Sequence, residues 1–226
     1  MMYGGCSDKQ LLANYHAIVR ASANATVVVG TEMGFWPPST DERRYRQMDE
    51  RRMSVLRTFG LNADAYGSLS ACNDSRAAGP CSYPPLYQYL NSGFAMGPVA
   101  ELHKVFEGML QNCESNASLV NVGEYDDQGA CTDYFFDHTD SMTLDYAGSL
   151  VLNLHRLDTF SVASVRDGQI RNNVLMTTQC FVHGNGASKL EAKTLAISAR
   201  RHGMFESRRP ARESPLEASV EPSMWA

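Results

Sequence analysis

Residues 179–189 read QCFVHGNGASK. Phe181 and Val182 end abruptly in His183, and Gly184 and Gly186 then flank the amide of Asn185. An apolar run stopping in a polar residue reads as a buried strand reaching the edge of its sheet. Working outward, residues 173–183 (NVLMTTQCFVH), 149–154 (SLVLNL) and 26–30 (TVVVG) are strand candidates. Their β-branched and apolar content suits a buried sheet. Between them lie helical patterns, and alternating strands and helices mean an α/β fold.

The first helix is expected from Asp8 to Ala21: Ser7 and Gln10 fit a capping box, and Leu11, Leu12, Tyr15, Ile18 and Val19 recur at helical spacing. Ser39 with Glu42 predicts a second box opening the charged segment 41–59, whose charges read as a solvated face. Residues 60–85, rich in Gly, Ser, Asn, Asp and Pro, predict a loop. Val99, Leu102, Val105, Phe106, Met109 and Leu110 predict an amphipathic helix after YLNSGFAMG (89–97). YDDQGACTDYFF (125–136) predicts another, with acidic residues at the end that the macrodipole favours. A last helix is expected from Lys189 to about residue 202, followed by a Pro-rich tail of mixed charge read as disordered. The division is a folded domain over 1–189, then a terminal helix and tail over 190–226.

The 226 residues are 43% hydrophobic, enough for a real core. A net charge of -5 and a pI of about 5.7 argue against a nucleic-acid partner. No apolar run reaches membrane-span length, and MMYGGCSDKQ shows no leader pattern. Against that stand three glycosylation sequons, at Asn24, Asn73 and Asn116. Of the six cysteines, Cys72 and Cys81 flank a Gly-Pro loop; a small disulfide and free buried thiols both fit. No cysteine spacing resembles a zinc site.

Ligands of open α/β sheets sit at the carboxyl ends of strands. Three expected strand ends carry polar residues: Glu32, the Asn91-Ser92 pair, and His183. A strand-end histidine often only satisfies hydrogen bonds. Beside Gly-Asn-Gly, however, backbone amides can approach an anion closely. The imidazole could then hold a metal bridging a diphosphate, and Mn2+ accepts nitrogen and oxygen ligands alike. Asp126 and Asp127 read either as a helix cap or as acid/base groups placing an acceptor hydroxyl. Trp36 reads as a core anchor or as a wall for a sugar ring.

The ordered elements VVVGTEMGFWPP, YP, YLNSGFAMG, YDDQ, LDYAGSLVLNL and VHGNGASK resemble the glycosyltransferase domain of the procollagen lysyl hydroxylase/glycosyltransferase family. The likeness spans about residues 3–189. It implies a GT-A fold: a Rossmann-type mixed sheet flanked by helices, binding a UDP-sugar and Mn2+. Such enzymes transfer glucose or galactose to hydroxylysine-linked sites of collagen-like chains in the endoplasmic reticulum. Carried over by motif, His183 would ligate the metal, Asn185 and Gly186 would approach the diphosphate, and Lys189 would lie near the phosphates. Asn91, with Ser92 and Gly93, would contact the donor sugar. Asp126 and Asp127 would face the acceptor, and Glu32 and Trp36 would line the sugar pocket. Three departures stand out: Phe35 replaces the family's Cys, Thr31 its usual Ala, and the acidic run shrinks to two residues. The family's Asp-x-x-Asp metal motif and nucleotide-binding strands would precede Met1. An alternative expectation is therefore a non-catalytic sugar- or protein-binding module derived from such an enzyme.

Overall fold

The computed structural model describes residues 1–37, 39–61 and 87–201. The Cys72–Cys81 pairing, the Asn73 sequon, Tyr83-Pro84, most of the 60–85 loop and the tail lie outside them. Strand β1 (Met2–Tyr3) leads to Ser7, whose hydroxyl oxygen accepts from the Gln10 amide at 3.1 Å and opens α1 (Asp8–Ala21). The reciprocal half of that box is not made, because the Gln10 side chain donates to the Thr178 carbonyl instead. The fully buried β2 (Val27–Glu32) carries the triple valine and ends on Thr31 and Glu32.

The second capping box does not form. The Ser39 hydroxyl donates to the Glu124 carbonyl, and Asp41 caps a 3-10 turn over Glu42–Met48 before α2 (Asp49–Thr58). Nor is this segment a purely solvated face. Tyr45, Arg52, Val55 and Leu56 are buried, and the Arg44 guanidinium lies 4.5 Å over the Phe136 ring. Its charged side chains cover apolar surface with their stems while their heads find partners.

After β3 (Tyr89–Met96) come α3 (Val99–Ser115), α4 (Ala117–Asn121) and α5 (Asp127–Asp137). On α3 the inward residue is Val105, with Leu102 and Met109 partly buried; Val99, Phe106 and Leu110 are exposed, so the expected stripe is narrower. Strands β4 (Met142–Leu144) and β5 (Val151–Asn153) follow, then α6 (Thr159–Val162), β6 (Ala163–Arg166) and β7 (Gln169–Asn172). The expected long strand over 173–183 is broken. Asn172 Oδ1 accepts from the amides of Val174 and Leu175, an Asx-type turn, so only β8 (Thr177–Thr178) and β9 (Phe181–His183) are extended. Helix α7 (Lys189–Arg201) buries Leu195 and Ala199 in one cluster with Val162 and Val182.

The α/β arrangement expected from the sequence is present, divided into three-stranded sheets ordered β3-β2-β4, β1-β9-β5 and β6-β7-β8. The first two are mixed: β2 runs antiparallel to β3 and parallel to β4, while β9 runs antiparallel to β1 and parallel to β5. They adjoin where the Asn153 side chain of β5 donates to the Thr31 carbonyl of β2 at 2.6 Å. Buried Asp145 anchors the loop between β4 and β5, accepting from the amides of Ser149, Leu150 and Val151 at 2.7–3.0 Å. Desolvation raises its pKa against the pull of those donors. A disulfide joins Cys6 to Cys180 across 174 positions, both cysteines being buried. No helix among the described residues is long and apolar enough to cross a membrane.

Candidate functional site

Parallel neighbours bring their carboxyl ends to one side, and here that side opens into a cavity of about 520 Å³. Glu32 and Trp36 reach it from the end of β2, Asn91, Ser92 and Gly93 from β3, and Asp127 from the start of α5. His183, Asn185 and Gly186 enter from the end of β9. The structure therefore gathers nine of the eleven candidate positions around one space. Asp126 stands just behind the wall. Its Oδ1 accepts from the Gly129 amide at 2.9 Å, capping α5, and its Oδ2 accepts from Trp36 Nε1 at 2.7 Å. Both of its oxygens are engaged, which leaves Asp127 as the carboxylate facing the cavity. Lys189, exposed at the start of α7, does not line it.

A continuous hydrogen-bond chain forms the floor. Asn185 Nδ2 donates to Glu32 Oε2 and Gln128 Nε2 to Glu32 Oε1, both at 2.6 Å. Asn91 Nδ2 donates to Gln128 Oε1 at 3.2 Å. His183 Nδ1 then meets two amide oxygens, Asn91 Oδ1 at 3.1 Å and Asn153 Oδ1 at 2.8 Å. The amide orientations are fixed independently: Asn91 Oδ1 also accepts from the Gly93 amide, and Asn153 Nδ2 donates to the Thr31 carbonyl. Two acceptors at Nδ1 require the proton to sit there, so Nε2 keeps its lone pair. Burial first, then the positive charges of the amino terminus and Lys189, lowers the His183 pKa and favours the neutral ring.

Glycines around the cavity make room for imidazoles. A Cβ on Gly93 would stand 2.1 Å from His183 Cε1, and one on Gly186 would stand 2.5 Å from His155 Nδ1. Gly184 instead admits α7, since its Cβ would meet Ala192 at 2.4 Å. The expectation that these glycines chiefly clear space for phosphate oxygens thus acquires a nearer cause. On the other wall, Asp127 Oδ2 accepts from the Ser92 hydroxyl at 2.6 Å, and the Trp36 ring stays 47% exposed.

Sequence reasoning missed four contributors. Gln128 lies in YDDQ, a motif read only through its two carboxylates. Asn153 is legible as a buried polar residue inside the apolar run SLVLNL. His155 and Arg156, directly after β5, also line the cavity; two basic residues closing an apolar strand are their signal.

Among the described residues no three His, Cys, Asp or Glu side chains cluster so as to hold a metal ion. His183 Nε2 keeps a lone pair, but one imidazole is not a metal cage. The site can hydrogen-bond many hydroxyls through carboxylates and amides, stack a ring on Trp36, and present imidazole and guanidinium to an anion. A family model described as the PLOD GT domain matches residues 80–200. No curated protein matches the chain.

Proposed function

The chain belongs to the PLOD glycosyltransferase-domain family, and from that premise we propose that it transfers glucose or galactose from a UDP-sugar to a hydroxylysine-linked or other protein or glycan acceptor, such as a collagen-like chain. The observation that carries this reading is the cavity's division of labour. Carboxylate and amide groups on β2, β3 and α5 suit sugar hydroxyls, and the imidazoles and guanidinium after β5 and β9 suit a diphosphate. A sugar bound through Glu32, Asn91 and Gln128, with Trp36 against its apolar face, would turn its anomeric carbon to the acceptor. The acceptor oxygen bonds to that carbon as the carbon–phosphate oxygen bond breaks; UDP leaves, and Asp127 receives the acceptor's proton.

Mn2+ belongs to the proposal, and His183 would be the residue of this chain that holds it. When bound it would neutralise charge on the leaving UDP. We place this activity in the endoplasmic reticulum or later secretory pathway. The buried Cys6–Cys180 disulfide suits an oxidising compartment, and the Asn24 sequon lies in an exposed turn.

The test is UDP release from UDP-glucose and UDP-galactose with Mn2+, with and without a galactosyl-hydroxylysine peptide. Turnover abolished by Asp127→Asn and His183→Ala is expected. Absence of UDP release with either donor, from a chain that still binds the sugar or the acceptor, would establish the second reading, a binding module. The absence of a three-ligand cluster among the described residues favours that alternative.

A further inference from the structure

We infer that His155 and Arg156 form an anion subsite that holds the diphosphate of the donor, an inference that rests on the nucleotide-sugar reading above. Three observations carry it. First, Arg156 lines the cavity while remaining exposed. Among the described residues it makes no ion pair. Second, His155 Nδ1 is buried with no hydrogen-bond partner. Its ring is wedged between Gly34 and Gly186, and a Cβ on either glycine would press on it, at 3.2 Å and 2.5 Å. A buried polar atom without a partner is uncommon enough to need a cause, and a ligand that supplies the partner is one. Third, Arg156 occupies the left-handed region at φ 63°, a conformation that favours glycine; a long charged residue held there marks a site where backbone strain is tolerated for another purpose.

The neighbouring carboxylates keep their negative charge, but other donors hold them and none pairs with Arg156. Both oxygens of Glu32 accept from amides, both of Asp126 are engaged, and Asp127 is bonded to Ser92 on β3. A planar guanidinium fork matches two phosphate oxygens at once, which a lysine ammonium cannot do. The subsite thus puts a permanent positive charge beside the leaving group.

The experiment measures binding of UDP, inorganic pyrophosphate and uridine by calorimetry to the full chain, with chelator and with Mn2+. Arg156→Ala should weaken UDP and pyrophosphate by roughly tenfold to a hundredfold, the range of lost charge-assisted hydrogen bonds. Uridine binding and the melting temperature should not change, and Arg156→Lys should be intermediate. His155→Gln should weaken pyrophosphate less than Arg156→Ala does. UDP binding that Arg156→Ala leaves unchanged overturns the subsite and leaves the transferase reading standing. Arginine-dependent binding of pyrophosphate without binding of UDP upholds the subsite and overturns the nucleotide donor. No binding of UDP or pyrophosphate under either condition overturns both.

Discussion

Asn153→Asp puts the orientation of His183 under direct test. In the wild-type protein Asn153 Oδ1 lies 2.8 Å from His183 Nδ1, and the imidazole pKa is below its ordinary 6.5. The folded state then binds fewer protons than the unfolded chain between those two values. This contribution to stability is complete above pH 6.5 and shrinks as pH falls through 6.5 towards the folded pKa. A carboxylate at the same position raises a neighbouring imidazole by about 1–3 units. His183 is only half-buried, so the low end applies, about 1 unit or 1.4 kcal/mol. The imidazole pKa then moves up from its lowered position, so the rise of stability with pH becomes shallower in the variant than in the wild type. The introduced carboxylate would also face the Thr31 carbonyl without a donor, costing about 1–3 kcal/mol at every pH, which shifts the whole curve but not its slope. At about 2–4 °C per kcal/mol for a chain this long, the melting temperature should rise from about pH 6 to 7.5 in the wild type. It should rise less steeply in the variant. Histidine 15N spectra report the tautomer independently: protonated Nδ1 and bare Nε2 in the wild type, with protonation of both nitrogens setting in at a higher pH in the variant than in the wild type. A wild-type His183 protonated at Nε2, or a slope in the variant at least as steep as in the wild type, overturns this account.

The adjacent aspartates should separate by assay. Asp126→Ala should cost about 1 kcal/mol of stability through the lost cap and loosen Trp36, visible as a fluorescence shift. Asp127→Asn should leave melting unchanged and cut UDP-sugar turnover by about a hundredfold or more. Gly93→Ala, whose Cβ would stand 2.1 Å from His183 Cε1, should displace the imidazole; its histidine spectrum should change together with about a hundredfold loss of turnover, while circular dichroism stays native. Cys6→Ser with Cys180→Ser opens a loop of 174 positions and should lower stability by about 5 kcal/mol on chain-entropy grounds, measured by urea denaturation.

What the sequence disclosed, and what it hid, follows the range of the forces involved. Helix α1 was legible to the residue because Ser7, Asp8 and the apolar repeat all act within a few positions. The Ser39 box failed because its hydroxyl found Glu124, 85 positions away, and such a partner has no local signal. The strand break at Asn172 was an Asx turn hidden in a β-rich stretch. The cavity's nine gathered residues were legible through ordered motifs. Asn153, His155 and Arg156 left only a faint signal, polar residues in and after an apolar run, because what makes them matter is the neighbour strand, not their own segment. The Cys6–Cys180 bond is of the same kind: connectivity depends on β1 pairing with β9.

That strand pairing also explains why a weakly specified loop can hold a defined imidazole. In the parallel pair of β5 and β9, Asn153 stands directly in register with His183, and residues in register share a face. The same register sends the chain after β5 into His155 and Arg156, and the chain after β9 into Asn185 and Gly186, on the same edge. A slip of one residue would turn Asn153 to the opposite face, removing one of the two acceptors that fix His183 and the link to Thr31 together. The site is therefore held less by its loops than by buried apolar neighbours: Val151 and Leu152 on β5 and Val182 on β9, all inaccessible to solvent, set the register. Substitutions that loosen those three residues should damage His183 orientation before they unfold the chain, because the tautomer depends on two acceptors while the fold depends on many contacts.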